Sequence, residues 1–172
     1  MSIVHQWTKK GKIEYNGNTY DLLTSILDDD TKIKFETIYK EYKDDNKLAM
    51  TTTSYYKNLS TSWSVIDDKL YLKELNINHV KDDKFKHRYK DDDGKLHISM
   101  GSPINVLPEI FGENKQILAT WINQDICIKL SSTFKDGYEI FNELHLEVVD
   151  GIVTNKTEVQ NKYKTLRSYV EE

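Results

Sequence analysis

Cysteine is almost missing from this chain. Cys127 stands alone among 172 residues, which excludes an intramolecular disulfide and any metal cluster built from several cysteines, and a reducing compartment is the expectation. Arginine is nearly as scarce. Only Arg88 and Arg167 are found among the 24 basic residues, so the planar fork that reads phosphates and guanines has little to work with and nucleic acid is not expected as a partner. Two prolines and seven glycines leave no Pro- or Gly-rich linker to divide the chain. They also leave no GxGxxG, GxSxG or GxxxxGK[ST] loop, which removes the familiar signatures of dehydrogenases, hydrolases and NTPases. No run approaches the roughly 18 apolar residues of a membrane span, and Met1 to Lys12 lacks the apolar centre of a secretory signal. A single cytoplasmic domain over 1–172, away from membranes, is expected.

What is present is charge, tyrosine and turn chemistry. Charged residues make up 30% of the chain with both signs interspersed and a net charge of −4, the composition of a solvated folded surface. Eleven tyrosines, five phenylalanines and three tryptophans supply core area that small aliphatics would otherwise provide.

Three dipeptides, Asn16-Gly17, Asp93-Gly94 and Asp150-Gly151, favour the type I′ hairpin turn, whose two central residues need positive φ. Alternating segments flank them. Leu144, Leu146 and Val148 share one face before the last turn, and Leu96, Ile98 and Met100 share one face after the middle one. Two tryptophan segments resemble each other: Thr61 to Val65 turning at Asp67-Asp68 into Leu70-Tyr71-Leu72, and Ala119 to Ile122 turning near Asn123-Gln124-Asp125 into Ile126 to Leu130. They read as two hairpins, from duplication or from similar packing.

Helix signals are fewer. They predict a short turn capped by Asp21, a helix after Thr31 with Phe35, Ile38, Tyr39 and Tyr42 on one stripe, a helix start at Ser102-Pro103, and a closing helix from about 157 carrying Val159, Tyr163, Leu166 and Val170. The polar stretch at about 76–94 is expected to be an exposed loop or edge hairpin. The fold class that follows is α+β, mainly antiparallel β, a meander of hairpins with a few short helices packed on one face.

The candidate chemistry is sparse. Paired and triple aspartates suggest a hard-cation loop, but with Gly94 at the glycine position of a calcium loop, Tyr89 and Met100 occupy its first and last ligand positions, so these read as solvated turns. The five histidines have no HxxxH or HExxH spacing. His97 and His145 lie on polar strand faces. Cys127 shares a strand face with Lys129, which would favour a thiolate if close, yet no base stands near it in sequence, and a structural role is the expectation. No cofactor and no metal are expected.

The segment Tyr56-Lys57-Asn58-Leu59-Ser60-Thr61-Ser62-Trp63, followed by Asp68-Lys69-Leu70-Tyr71-Leu72, resembles a family of small uncharacterised bacterial proteins with a W-R-G-Y-x-x-x-W … D-x-K-L-Y-L pattern. Leu118-Ala119-Thr120-Trp121 resembles that family's F-A-x-W strand. Tyr56, Lys57, Asn58 and Leu59 replace the first four motif residues, and the resemblance implies no catalytic residue.

Binding is thus favoured over catalysis. The expected function is a protein-binding module, concretely an immunity or inhibitor protein masking a basic toxin or effector, through Tyr55, Tyr56, Asp67, Asp68, Tyr71, Asp82, Asp83, Asp91 and Asp92. The alternative is a small-molecule or carbohydrate-binding protein or enzyme with an aromatic-lined concave sheet offering Trp63, Trp121, His97 and His145.

Overall fold

The structure, a computed structural model, describes residues 11–50, 58–82, 88–112 and 115–164. In chain order the elements are β1 (Lys12–Tyr15), β2 (Asn18–Leu22), α1 (Asp29–Asp44), β3 (Leu59–Ile66), β4 (Lys69–Val80), β5 (Arg88–Lys90) and β6 (Leu96–Ile98). Then follow β7 (Ser102–Asn105), α2 (Leu107–Phe111), β8 (Ile117–Leu118), β9 (Gln124–Lys135), β10 (Tyr138–Val149) and β11 (Ile152–Lys164). Strands hold 56% of the described residues and are largely antiparallel, with two helices, a mainly β member of the α+β class. No helix of the described residues is long and apolar enough to cross a membrane.

The chain gathers into two compact units, Met1–Ile26, Ser62–Leu72 and Ile117–Glu172 in the first, Leu27–Thr61 and Lys73–Gln116 in the second. In the first unit the strands lie in the order β11-β10-β9-β2-β1-β3-β4. This is not a meander: β1 pairs with β3 in parallel and β2 pairs with β9. The order closes on itself, because Ile152 of β11 bridges Lys69 of β4, and the Leu70 and Val153 amides donate to the Gly151 and Asp68 carbonyls at 2.8 and 2.7 Å. A ring of strands has few edges to expose. Its buried apolar residues include Ile13, Leu22, Trp63, Leu70, Ile126, Ile128, Leu144, Leu146 and Val148.

Turn chemistry sets this unit's registers. Asn16-Gly17, Asp67-Asp68 and Asp150-Gly151 have positive φ at both residues, as the I′ turn requires. Asp136-Gly137 makes a fourth such corner and joins β9 to β10. Asp93-Gly94 differs. Only Gly94 has positive φ, and the Gly94 amide donates to the Asp91 carbonyl while the Asp91 amide donates to Lys95. This is the three-residue loop in which a left-handed glycine follows a type I turn.

In the second unit, α1 starts one turn earlier than Thr31 suggested, because Asp28 is the cap and its carboxylate accepts the Thr31 amide at 3.3 Å. Phe35 and Tyr39 are its buried stripe, with rings 6.5 Å apart. The stretch at 76–94 begins as strand rather than loop: β4 runs to Val80 with Leu75, Ile77 and Val80 buried, and β7 pairs along it. Beyond the residues the structure leaves undescribed, β5 and β6 form the expected hairpin.

Three helix expectations fail. Asp21 and Leu22 lie in β2, where Asp21 pairs with Lys12 and Lys129 across strands. Ser102-Pro103 opens β7, where Pro103 needs no ladder donor, and the helix forms later with Pro108 in its first turn. Val159 and Tyr163 belong to β11, whose backbone is claimed by β10 through a continuous run of partners from Asn155 to Lys164. Leu166 and Val170 lie outside the described residues.

Candidate functional site

The β9-β10-β11 sheet of the first unit carries a polar cluster on one face. It begins with a register shift. The Asp136-Gly137 corner pairs Lys135 with Tyr138 and continues to Ser131 opposite Asn142, after which Glu143 faces Lys129. Leu130 is therefore an extra residue in β9, a bulge that moves all later partners by one position. Without it Cys127 would lie opposite Leu146. With it, Cys127 lies opposite His145.

The Cys127 amide donates to Thr24 Oγ1 at 2.8 Å and its carbonyl accepts from the Leu23 amide at 2.8 Å. Both backbone groups point away from β10, so Cys127 and His145 form a non-hydrogen-bonded pair, the arrangement that brings cross-strand side chains closest. Glu143, two residues before His145, shares its face. From β11, Asn161 and Tyr163 reach across to the same carboxylate.

Glu143 is the hub and is 2% exposed. Its Oε2 lies 3.3 Å from Cys127 Sγ, 2.8 Å from His145 Nε2 and 2.8 Å from Asn161 Nδ2, and its Oε1 accepts from the Tyr163 hydroxyl at 2.5 Å. Cys127 Sγ and His145 Nε2 are 3.6 Å apart. Burial pushes the Glu143 carboxyl up, but the bonds donated by Tyr163, His145, Asn161 and Cys127 outweigh it and hold the group below the ordinary carboxylate range. The same arrangement pushes the Cys127 thiol up to about 12, through burial first and then the neighbouring carboxylate. Burial and Glu143 raise Tyr163 too. The Phe141 ring, 4.8 Å from that of Tyr163, closes one side.

This chemistry is not that of an activated nucleophile. In a Cys-His pair the imidazole takes the thiol proton and a carboxylate orients its far nitrogen. Here Glu143 sits between the two, taking the thiol and imidazole contacts on one oxygen. Lys129 does not create a thiolate either: its Nζ lies 3.6 Å from Asp21 Oδ2 and 4.9 Å from the Phe141 ring centre. What the cluster does offer is three convergent donor atoms of different kinds, sulfur, nitrogen and oxygen, from Cys127, His145 and Glu143. Glu143, Asn161 and Tyr163 were not anticipated, although the spacing Glu143-x-His145 and Asn161-x-Tyr163 marks each pair as sharing a strand face.

The residues expected to meet a partner fall in both units. Asp67 and Asp68 form the β3-β4 corner, where Asp68 Oδ1 accepts from Lys156 Nζ at 2.6 Å. Tyr71 follows in β4, half-buried opposite Leu118. In the second unit Asp82 and Asp92 are exposed. Asp91 is half-buried, with its carboxylate 2.7 Å from His97 Nε2. That contact and the bond from the Lys95 amide hold the Asp91 carboxyl below its ordinary value. Tyr55, Tyr56 and Asp83 lie outside the described residues.

The two tryptophans do not form repeated hairpins. Trp63 is buried in β3, whereas Trp121 lies in the turn between β8 and β9, its indole N–H donating to the Ile26 carbonyl at 3.0 Å. Their rings meet edge to face at 6.4 Å, which makes them partners in packing. His97 stacks on Tyr89 at 4.9 Å.

No protein-family model, no curated protein and no solved structure matches this chain.

Proposed function

We propose that the chain is a protein-binding module, and that the β5-β6 hairpin of its second unit makes the contact. The observation that carries this is the face formed by Leu96, Ile98 and Met100, which are 53%, 49% and 42% exposed. Tyr89, on the paired strand, is also exposed but lies opposite His97 on the other side of the ribbon, so this face is aliphatic. Successive apolar residues on one solvent-facing side of a two-stranded ribbon are costly to leave in water, and a partner's apolar surface would relieve that cost.

Charge contributes less than the aspartate runs suggest. From Lys81 to Lys95 six basic residues stand against five aspartates, so apolar fit, not acidity, would select the partner at this hairpin. A basic toxin or effector would be steered instead by the chain's overall charge of −4. In its most concrete form the protein is an immunity or inhibitor module that covers an apolar patch on such a partner.

The test is a photo-crosslinking side chain placed at Ile98 and, as a control, at the exposed Ile33 of α1. In extract of the native host, one discrete adduct is expected from position 98, absent at 33 and lost when Leu96→Asp is added. Equal labelling at both positions, or none at either, removes the proposal.

A further inference from the structure

The Glu143 cluster is independent of that hairpin and supports a separate inference. Glu143 Oε2 meets Cys127, His145 and Asn161 at once. A carboxylate oxygen has about two lone-pair positions, so as a purely hydrogen-bonded group it is oversubscribed. One dication in place of the thiol and imidazole protons would resolve the crowding, and the distances suit it. Zinc bonds of about 2.3 Å to sulfur and about 2.0–2.1 Å to nitrogen and oxygen, at tetrahedral angles, place the three donors roughly 3.3–3.6 Å apart. The observed separations are 3.3 Å from sulfur to oxygen, 3.6 Å from sulfur to nitrogen and 2.8 Å from nitrogen to oxygen. The last has to open by about 0.5 Å and the sulfur–oxygen contact by about 0.2 Å, both now hydrogen bonds.

We propose that Cys127, Glu143 and His145 form a metal site for a borderline transition ion, zinc in the first instance. The donor set selects the class: one sulfur and one imidazole suit zinc and its neighbours, whereas calcium and magnesium want six or more oxygens. On binding, the ion takes the thiolate sulfur, the imidazole Nε2 and carboxylate Oε2; the thiol proton and the proton that Nε2 shares with Glu143 leave to solvent, and the neutral ring keeps a proton on Nδ1. Asn161 and Tyr163 then act as positioning residues, holding Glu143 by Nδ2 on Oε2 and hydroxyl on Oε1, the outer-shell role that ligating carboxylates usually require. Among the described residues no fourth Cys, His, Asp or Glu joins the three. The fourth position is therefore left to water or a ligand, as in open zinc sites. His145 is 39% exposed, so the ion has a path from solvent.

The experiment is titration of the purified full chain, first stripped with chelator, with Co(II) as a spectroscopic stand-in for zinc. Stoichiometric binding is expected, with a thiolate-to-cobalt charge-transfer band, strong visible bands of a four-coordinate ion, and displacement by zinc. Cys127→Ser should abolish the charge-transfer band. Asn161→Ala should keep the band while weakening affinity about 10- to 100-fold. Should the serine variant misfold, His145→Asn, a change at a part-exposed position, must weaken binding by at least as much as Asn161→Ala. No charge-transfer band in the wild-type chain, or binding unchanged in both Cys127→Ser and His145→Asn, overturns the site and leaves an adventitious ion on other histidines.

Discussion

Two segments carry the same pattern and meet opposite fates. Leu144, Leu146 and Val148 alternate with polar residues in β10, and all three are buried. Leu96, Ile98 and Met100 alternate in the same way in and after β6, and all three are exposed. The difference lies in the neighbours. β10 is paired along both edges, by β9 and β11, within a ring that encloses its apolar side, whereas β6 is paired only with β5 in a separate two-stranded sheet. Alternation identifies which side chains share a face, and whether enough paired strands wrap around that face decides whether it is covered.

Substitution separates the two most widely at their centres. Leu146→Ala should cost about 2–5 kcal/mol by cavity formation, while Ile98→Ala should stay within about 0.5 kcal/mol as an exposed change. Urea unfolding of both variants measures the gap, and equal losses would break the comparison.

The polar face of β10 gives the next effect. Glu143→Gln replaces a full acceptor by a group with donors of its own, facing donors from Cys127, His145, Asn161 and Tyr163, and should cost about 1–3 kcal/mol near neutral pH. Because the folded-state carboxyl is held low, its contribution is present above the ordinary carboxylate range and lost as pH falls through the folded value. The gap between wild type and the glutamine variant should therefore narrow on acidification, and a constant gap would show that packing alone separates them.

Cys127 titrates in the opposite direction. Its raised value means that the folded state keeps the thiol proton, so that stability is whole below the ordinary value of 9.0 and declines as pH rises toward about 12. Cys127→Ser should lose part of this alkaline decline, which a comparison of unfolding midpoints above pH 9.0 would detect. A small effect is also expected at the exposed Lys156-Asp68 pair, where Lys156→Ala should change stability by at most about 1 kcal/mol and by less in high salt.

Local chemistry was legible where few residues decide it. The Asn16-Gly17 and Asp150-Gly151 corners, the Asp67-Asp68 reversal and the Phe35-Tyr39 stripe all follow from the residues themselves. Longer-range outcomes were not. Val159 and Tyr163 are four apart, a spacing that suits a helix and also a strand face read at every second residue, and only the presence of β10 chooses the strand. The site escaped for a similar reason. Glu143 and His145 declare a shared face, but placing Cys127 opposite His145 needs both the Asp136-Gly137 corner and the extra Leu130, and a one-residue slip reverses the face. A bulge has no reliable local mark.

Gly151 holds the place where the ring joins. Its φ is 77°, its amide donates to the Ile122 carbonyl, its carbonyl accepts from the Leu70 amide, and an added Cβ would come within 2.8 Å of the Ala119 oxygen. The clasp is thus made by a residue gripping strands that precede it far back in the sequence. During translation the Lys69-Leu70 end of β4 has to wait for this partner until Val153 has emerged from the ribosome, and such an uncovered end is where stray strands can pair.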